Sequence, residues 1–538
     1  MGIRATATEA TARRHRRVPA GLAASAGVVV ALVAVAPVYL LVRASEATSS
    51  SWDLILRGRT IALTVNTLGL AGAVTAAATA LGVTAAWIAV RSDIPARRVW
   101  ATAFALPLVF PSYVGAFALL AALGPRGLLQ GWLEPLGVDR LPDIGGFPGA
   151  FLALTLFTYP YVYLVAASAL RGVDPTWDEA ARTLGRSRWY AFRTVTLPLL
   201  RPALAGGSLL VALYVLHDFG AVSLMRFQTF TQAIFLQYKA AFDRTPAAIL
   251  SLLLVALAIV VVAFEQRARG RARYHRTGAG SGRAPGPVRL GRWRWPALVF
   301  SGVVVGVALV LPAGVLLYLL VQGLAEGVPF NLTVGAIGGS AFVSSLGAVG
   351  TVAAAVPLAI LSARHSGSVG RAAEGAAYVG YALPGLVVAL AFVFLTAGTV
   401  PWLYQSLPLV VLAYVVLFLP QAVEPLRSGL LQVNPRIEEA GRTLGRTRGQ
   451  VVRRIVLPAL ARPALAGAAL VCLTAMKELP ATILLRPTGF ETLATRVWTS
   501  ASAGLYSRAA VPALLLIAVA SLPLWALAGR LGAPEDGR

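Results

Sequence analysis

The sequence predicts an all-helical protein that crosses a membrane many times, built as two six-helix repeats. Three observations lead to this fold class. Hydrophobic residues make up 57% of the 538 residues and charged residues only 13%, whereas a soluble domain carries about 25% charged residues. Twelve stretches are apolar and long enough to cross a bilayer, which takes about 20 residues of helix. Finally, the second half of the chain repeats the first at a spacing of 260 residues.

The predicted spans differ in length. They are 20–42, 60–90, 99–123, 149–170, 202–225, 246–264, 297–321, 339–362, 372–398, 407–426, 464–485 and 507–528. The second span exceeds one straight crossing, so it is either tilted or begins outside the bilayer. The first span follows a cluster of arginines, as a secretory signal does, but its apolar run is longer than such signals have. We therefore predict an uncleaved membrane anchor.

The basic residues predict the orientation of the chain. The net charge is +25, with 47 basic residues, of which 35 fall in segments on one side of the membrane and 11 on the other, while Lys477 lies within a span. Because cytoplasmic loops carry the excess of Lys and Arg, both termini are predicted to be cytoplasmic. The same distribution argues against nucleic-acid binding. The basic clusters lie beside span ends, where orientation and anionic lipid explain them.

An internal repeat divides the chain into two halves. Residues 178–202 (DEAARTLGRSRWYAFRTVTLPLLRP) match residues 438–463 (EEAGRTLGRTRGQVVRRIVLPALARP). We therefore predict a first half over 1–270, a cytoplasmic linker over 271–296 and a second half over 297–538. Each half has six spans, and an even number gives both halves the same orientation. The repeats are then parallel and related by a pseudo-twofold axis along the membrane normal.

The repeated cytoplasmic loop predicts a short helix in each half. Glu179 and Glu439 lie near the helix N-terminus, where the helix dipole favours an acid. Gly185 and Gly445 follow as the stop or tight turn. A short polar helix held against the membrane suits a groove on another protein. The alternative is an ordinary solvated loop helix that the duplication retained, but this loop matches better than the spans around it.

This loop resembles the EAA motif of permeases from binding-protein-dependent ABC importers. The matching residues are Glu179, Ala180, Ala181 and Gly185 in the first copy and Glu439, Ala440, Gly441 and Gly445 in the second, each followed by Leu-Pro. The resemblance implies that residues 178–186 and 438–446 are coupling helices docking on two copies of a separate ABC ATPase. It also implies an extracytoplasmic substrate-binding protein and a location in the bacterial inner membrane.

The substrate prediction rests on the same resemblance. The fused six-plus-six arrangement is similar to permeases of the iron(III) and thiamine type, and residues 217–222 and 477–482 are most similar to the iron(III) branch. Related permeases carry thiamine, polyamines, phosphonates or sulfate, which stay open as alternatives. No Lys is followed by Ser or Thr, so the chain has no P-loop. ATP and Mg²⁺ are therefore expected on the partner ATPase, with no cofactor in this chain and no covalent chemistry.

Two pairs of ionisable residues lie in predicted spans. His217-Asp218 and Lys477-Glu478 are base-then-acid pairs at the 260-residue spacing, and ionisable residues inside a bilayer are candidates for function. We predict that they lie near the translocation path or its outer gate. Since neighbours along a helix do not face each other, each acid should reach a different helix or line water. The alternative is a structural ion pair between the halves. With one Cys and four scattered His, a metal site is not expected.

Tyrosines and prolines supply further path candidates. Tyr113, like Tyr159, Tyr161 and Tyr163, offers a phenolic oxygen to a pore, although anchoring at the membrane interface is the favoured interpretation. Pro107, Pro111 and Pro384 are predicted to kink the third span of each half, and kinks there could form gates. Pro107 and Pro384 both follow Ala-Leu, which makes them candidate equivalents.

Two other classes of function compete with an ABC permease. A secondary transporter using Asp218 or Glu478 as its proton carrier would explain the spans, but not the duplicated loop. A membrane enzyme would need a cluster of acids, histidines or metal ligands at one membrane face, and the sequence has none.

Overall fold

The computed structural model describes residues 18–46, 58–125, 127–173, 183–185, 187, 190, 192–240, 245–269, 288–327, 333–365 and 367–531. The α-helices are α1 (Ala20–Ser45), α2 (Gly58–Arg91), α3 (Arg97–Ala103), α4 (Ser112–Leu123), α5 (Leu128–Leu133), α6 (Phe147–Arg171), α7 (Leu197–His217), α8 (Gly220–Leu224), α9 (Phe230–Ala240), α10 (Thr245–Arg269), α11 (Arg294–Val305), α12 (Leu311–Ala325), α13 (Thr333–Arg364), α14 (Ser368–Ala382), α15 (Gly385–Thr399), α16 (Leu407–Gln432), α17 (Pro435–Thr443), α18 (Arg448–Val451), α19 (Leu457–Lys477), α20 (Pro480–Leu485), α21 (Leu493–Ser502) and α22 (Tyr506–Leu531).

The structure confirms an all-helical membrane protein with many spans. Ten helices in the described part of the chain are long and apolar enough to cross a membrane. An eleventh crossing results if the bent pair Ser368–Gly380 and Gly385–Thr399 forms one span. The shorter apolar helix Tyr506–Ser521 lies where the twelfth span is predicted. The long second span is one continuous helix of 34 residues. The count of twelve spans stays a prediction.

The third span of each half is broken rather than kinked. In the first half, α4 starts only after Pro111, which has an extended ψ of 143°. In the second half, α15 starts after Pro384, which has a ψ of 141°. The helical segments Ser368–Gly380 and Gly385–Thr399 are bent by 95° relative to each other. Proline lacks an N–H and forces the residue before it out of the helical region. The structural counterpart of Pro384 is therefore Pro111. The equivalence of Pro107 and Pro384 was wrong, because Pro107 lies in a 3₁₀ turn, Leu106–Val109.

The fifth span of each half is also broken. The continuous spans predicted over 202–225 and 464–485 end instead at His217 and Lys477. Asp218 and Glu478 follow with extended ψ values of 129° and 120°. The short helices α8 and α20 begin two residues later. The two acids therefore lie at helix breaks and not within a helix.

Compact units divide the chain differently from the repeated halves. One unit comprises residues 46–333 and 495–521, here called the first unit. The second unit comprises residues 1–45, 334–494 and 522–538. The halves 1–270 and 297–538 remain a prediction about the duplication in the sequence, because packing of apolar helices follows surface fit and not nearness along the chain.

The first helix of the chain packs in the second unit. The Tyr39 hydroxyl of α1 donates to the carbonyl oxygen of Phe394 in α15, at 3.1 Å. The guanidinium of Arg43 lies 5.9 Å from the centre of the Phe394 ring, within the range of a cation–π contact. In the first unit, α12 packs against α4. In each predicted half, a helix of the first span therefore packs against a helix that belongs to the other half: α1 against α15, and α12 against α4.

The end of the predicted linker is held by backbone hydrogen bonds. Residues 271–287 lie outside the described residues. Val288 donates its amide to the carbonyl of Arg91 at 2.7 Å and accepts the amide of Asp93 at 3.2 Å. The Asp93 carboxylate accepts the amide of Leu290 at 2.9 Å. The chain that enters α11 is thus tied to the loop after α2.

Helices α2 and α6 pack closely at Gly82. A Cβ added there would lie 2.8 Å from the amide nitrogen of Tyr163 and 2.8 Å from Cβ of Val162. Small residues allow membrane helices to approach this closely, and van der Waals packing is a main source of stability between them. The absence of a side chain at Gly82 therefore sets the distance between the two helices.

We expect Gly82→Ala to destabilise the first unit, because the added methyl group meets backbone atoms that cannot move without shifting α6. Overpacking of this kind costs about 1–3 kcal/mol. The measurement is the thermal unfolding midpoint of the purified protein in detergent. Gly72→Ala on the same helix is the matched control, because a Cβ there has no atom within 4 Å. Equal midpoints for the two variants would contradict the close contact.

Candidate functional site

The second copy of the repeated loop is held in place at its start. Arg364 donates from Nη2 to the carbonyl of Val433 at 3.1 Å, directly before the loop helix. Asn434 is the N-cap of α17, and its side chain accepts the amide of Arg436 at 3.0 Å. Pro435 occupies the first helical position, where its missing N–H costs nothing. These contacts therefore fix the direction in which α17 continues from the end of α16.

The end of α17 is a left-handed turn at Gly445. The φ of Gly445 is +78°, a conformation that residues with a Cβ rarely adopt. Its amide donates to the carbonyl of Arg442 at 3.0 Å, and the amide of Arg446 donates to the carbonyl of Gly441 at 3.1 Å. This pattern is a glycine helix stop, which confirms the predicted turn. A Cβ on Gly441 would lie 2.9 Å from Cδ1 of Ile455, so Gly441 packs closely on that side chain.

The first copy of the loop shows the same features where it is described. Glu179, Ala180 and Ala181 lie outside the described residues. Gly185 has a φ of +74°, matching its counterpart Gly445. The Ser187 hydroxyl accepts the amide of Tyr190 at 3.2 Å. At the equivalent place in the second copy, Thr447 accepts the amide of Gln450 at 3.3 Å.

Each loop then enters the membrane through a wide turn. A π-helical turn covers Phe192–Thr196 before α7, and another covers Val452–Val456 before α19. Such turns recur at functional sites in helices. Both copies of the loop thus connect to the fifth span through the same local structure.

An exposed leucine stands at the tip of each loop. Leu184 is 79% exposed and Leu444 is 81% exposed, each directly before the left-handed glycine. We did not single out these leucines from the sequence, although one signal was present: an apolar residue precedes the glycine in both copies of a polar stretch. Each offers an apolar side chain that a groove on another protein could bury.

Asp218 caps the short helix that follows it. The side chain is 7% exposed. Its Oδ1 accepts the amides of Ala221 at 3.0 Å and Val222 at 3.2 Å. Its Oδ2 accepts the hydroxyl of Ser112, the first residue of α4. The expectation that the acid reaches a different helix is confirmed for Asp218.

Glu478 occupies the same place in the second unit. Its Oε1 accepts the amide of Ala481 at 2.9 Å. The carbonyl of Glu478 accepts the Thr482 hydroxyl at 2.9 Å, and that hydroxyl lies 2.6 Å from the Tyr414 hydroxyl. The two acids thus share one role in their own units, which is to cap the helix after the break.

The other path candidates have different surroundings. His217 and Lys477 are the last residues of α7 and α19, and both are half-buried. Tyr113 is 4% exposed and packs on Gly220, where an added Cβ would lie 2.6 Å from the Tyr113 Cβ. Pro384 is buried at the start of α15. Whether any of these residues lines a translocation path stays a prediction.

Two of the tyrosines correct our preference for interfacial anchoring. Tyr159 and Tyr163 are 0% and 2% exposed. The Tyr163 hydroxyl donates to the carbonyl of Ala101 at 2.7 Å. Both rings pack inside the first unit, so they are not exposed at a membrane interface. Residue type alone does not separate a buried tyrosine from an interfacial one.

Comparison with known proteins decides the family. Residues 78–274 and again residues 355–531 match the family model described as "Binding-protein-dependent transport system inner membrane component". The chain belongs to this family. It is therefore the permease of an ABC importer, a transport subunit and not an enzyme, and the family occurs twice in the chain as the internal repeat predicts.

The permease has relatives with several named substrates. It is 32% identical over 495 residues to the Fe(3+)-transport system permease protein FbpB 2 of Haemophilus influenzae, covering 91% of this chain and 94% of that protein. It is 36% identical over 146 residues to the molybdenum transport system permease protein ModB of Escherichia coli, covering 26% of this chain and 60% of ModB. It is 30% identical over 183 residues to the sulfate transport system permease protein CysW of Escherichia coli, covering 32% and 62%.

Proposed function

We propose that the permease imports iron(III) across the bacterial inner membrane. One observation carries this proposal: the relative named for Fe(3+) transport matches 91% of the permease and 94% of its own length, so it shares the fused two-half design. The molybdenum and sulfate relatives match only 26% and 32% of the permease, which is less than one half of the duplicated chain. The same architecture importing molybdate, sulfate, thiamine, a polyamine or a phosphonate is the alternative.

The proposed import needs two kinds of partner. An extracytoplasmic binding protein delivers iron(III) to the outer face, and two copies of a cytoplasmic ABC ATPase bind ATP and Mg²⁺. The loops around 178–186 and 438–446 dock on the ATPases, one loop on each copy. Closure of the ATPase dimer on ATP moves both loops, and the halves rock between inward-open and outward-open states. The permease itself carries no cofactor in this scheme.

The proposed arrangement in the membrane follows from the duplication. Twelve spans form two parallel six-helix halves around a pseudo-twofold axis along the membrane normal, and both termini are cytoplasmic. This arrangement presents the two copies of the loop to the same side of the membrane. It is supported by the 35 basic residues in the segments assigned to the cytoplasm.

The hydrogen bonds of Asp218 weigh against an ion-coupled secondary transporter. A proton carrier must release its proton to water on each side of the membrane in turn. Asp218 instead accepts the amides of Ala221 and Val222 with one carboxylate oxygen and the Ser112 hydroxyl with the other. Protonation would weaken all three hydrogen bonds. The hydrogen bonds therefore give this carboxylate a structural role in holding the helix break.

We expect ATP-driven uptake of iron(III) by proteoliposomes that hold the permease and its ATPase, with the iron-loaded binding protein outside. Uptake should require enclosed ATP and persist when ionophores remove the proton and sodium gradients. A tenfold excess of molybdate or sulfate should leave the rate unchanged. Uptake of molybdate, sulfate or thiamine with no iron(III) uptake would reject the proposed substrate while leaving the ABC mechanism in place. Uptake that a proton gradient drives without ATP would reject that mechanism.

A further inference from the structure

Each unit contains two helix breaks that lie against each other. In the first unit, α8 follows the break at Asp218 and packs on α4, which follows the break at Pro111. In the second unit, α20 follows the break at Glu478 and packs on α15, which follows the break at Pro384. The breaks of the third and fifth spans therefore meet in the same way in both units.

In the first unit, one carboxylate connects the two breaks. Asp218 Oδ1 caps α8 through the amides of Ala221 and Val222. Its Oδ2 accepts the hydroxyl of Ser112, the first residue of α4. Ser112 is 3% exposed and Asp218 is 7% exposed, so water competes little for either group. Hydrogen bonds to a buried carboxylate are among the stronger ones in proteins.

In the second unit, a longer acid meets a residue with no side chain. Glu478 Oε1 caps α20 through the amide of Ala481 at 2.9 Å. The first residue of α15 is Gly385, and a Cβ added there would lie only 2.7 Å from Oε1 of Glu478. A Cβ at that place would force this carboxylate to shift, and Oε1 is the oxygen that accepts the Ala481 amide. The carboxylate of Glu478, which its longer side chain carries further than that of an aspartate, therefore occupies the space that the missing side chain of Gly385 leaves.

In the two pairs, the side-chain sizes of the two partners compensate for each other. The first unit combines a serine with the shorter acid, and the second unit combines a glycine with the longer acid. A carboxylate that only capped its own short helix would require neither residue. The residue directly after the proline is therefore matched to the acid across the contact between the two breaks.

We propose that Ser112–Asp218 and Gly385–Glu478 are matched pairs, each locking the break of the third span to the break of the fifth span. Ser112 and Gly385 are then positioning residues, acting through the acids. In each unit, the two helices beyond the breaks move as one body during the transport cycle. The proposal goes beyond the substrate assignment, because it holds whichever solute the permease carries.

A size-swap cycle tests the proposal in both units. In the second unit, the variants are Gly385→Ser, Glu478→Asp and the two together, which rebuilds the serine–aspartate pair. In the first unit, they are Ser112→Gly, Asp218→Glu and the two together. Each single variant should lower the thermal unfolding midpoint in detergent by about 3–6 °C, and each double variant should recover most of that loss. Gly375→Ser is the control for adding a serine, because a Cβ there has no atom within 4 Å.

A second readout separates positioning from stability alone. ATP hydrolysis by the assembled permease–ATPase complex is measured per folded complex, at a temperature well below every unfolding midpoint. The rate of ATP hydrolysis should fall in the single variants and recover in the double variants. A mismatched pair no longer makes the two helices beyond the breaks move together. If the decreases in unfolding midpoint of the two single variants simply add in both double variants, the proposed matching is wrong. Unchanged hydrolysis in all six variants would overturn the positioning role. Neither readout uses iron(III), so a different substrate would leave this test intact.

Discussion

A permease that carries Leu184→Asp and Leu444→Asp together is expected to fold normally and to lose its ATPase. The two leucines are 79% and 81% exposed, so replacing them removes little that stabilises the permease alone. Burying a leucine in a partner's groove contributes about 1.5–3 kcal/mol. Each substitution should therefore weaken docking by roughly ten- to hundredfold, and a buried, unpaired carboxylate adds a further penalty.

The measurement for the leucine variants is the amount of ATPase that copurifies with the permease, together with ATP-driven uptake. Leu184→Met with Leu444→Met is the matched control, since methionine keeps a similar apolar volume. The control should retain the ATPase, and the aspartate variant should lose both the ATPase and uptake at a normal level of permease. Normal copurification of the ATPase with the aspartate variant would show that the loop tips are not docking surfaces.

Asp218→Ala is expected to destabilise the permease severely. The substitution removes the acceptor for the buried amides of Ala221 and Val222 and for the hydroxyl of Ser112. A buried polar group left without a partner costs about 1–3 kcal/mol, so the combined cost is a large part of the stability of a typical domain. Asp218→Asn keeps one acceptor oxygen, so this variant should lose clearly less stability than Asp218→Ala.

The unfolding midpoint and the level of permease in the membrane measure the effect of these Asp218 variants. Asp139→Ala is the control, because Asp139 is an exposed acid in the loop before α6 and no hydrogen bond to its carboxylate is present among the described residues. Asp218→Ala should reduce the midpoint and the level together, and uptake should follow the amount of folded protein. A normal midpoint and level with abolished uptake would instead mean that the carboxylate acts on the solute.

The spans and the repeated loop could be predicted from sequence because both leave local signals. A span needs a long apolar run, and the loop repeats its glycine and its acid at a fixed spacing of 260 residues. The left-handed conformations of Gly185 and Gly445 follow directly from those positions. The exposed leucines beside them were missed, because an apolar residue in a polar loop is usually attributed to packing.

The helix breaks could not be predicted from hydropathy. The apolar runs continue through Asp218 and Glu478, and a carboxylate that accepts amides of the next helix has no signature in the average hydropathy of a window. The predicted equivalence of Pro107 and Pro384 was wrong for a related reason. Both prolines follow Ala-Leu in the sequence, but in the structure it is Pro111 that directly precedes the following helix, as Pro384 does. The packing of α1 with α15 depends on surface fit between distant segments, which no local pattern encodes.

The native mass of the purified permease–ATPase complex tests most directly whether both repeated loops are docking sites. One permease chain should carry two ATPase subunits in the presence of ATP and Mg²⁺. The permease with Leu444→Asp alone should release the ATPase from one loop, so that complexes with a single ATPase appear. A wild-type complex with one ATPase or none per permease chain would contradict the assignment of the two loops.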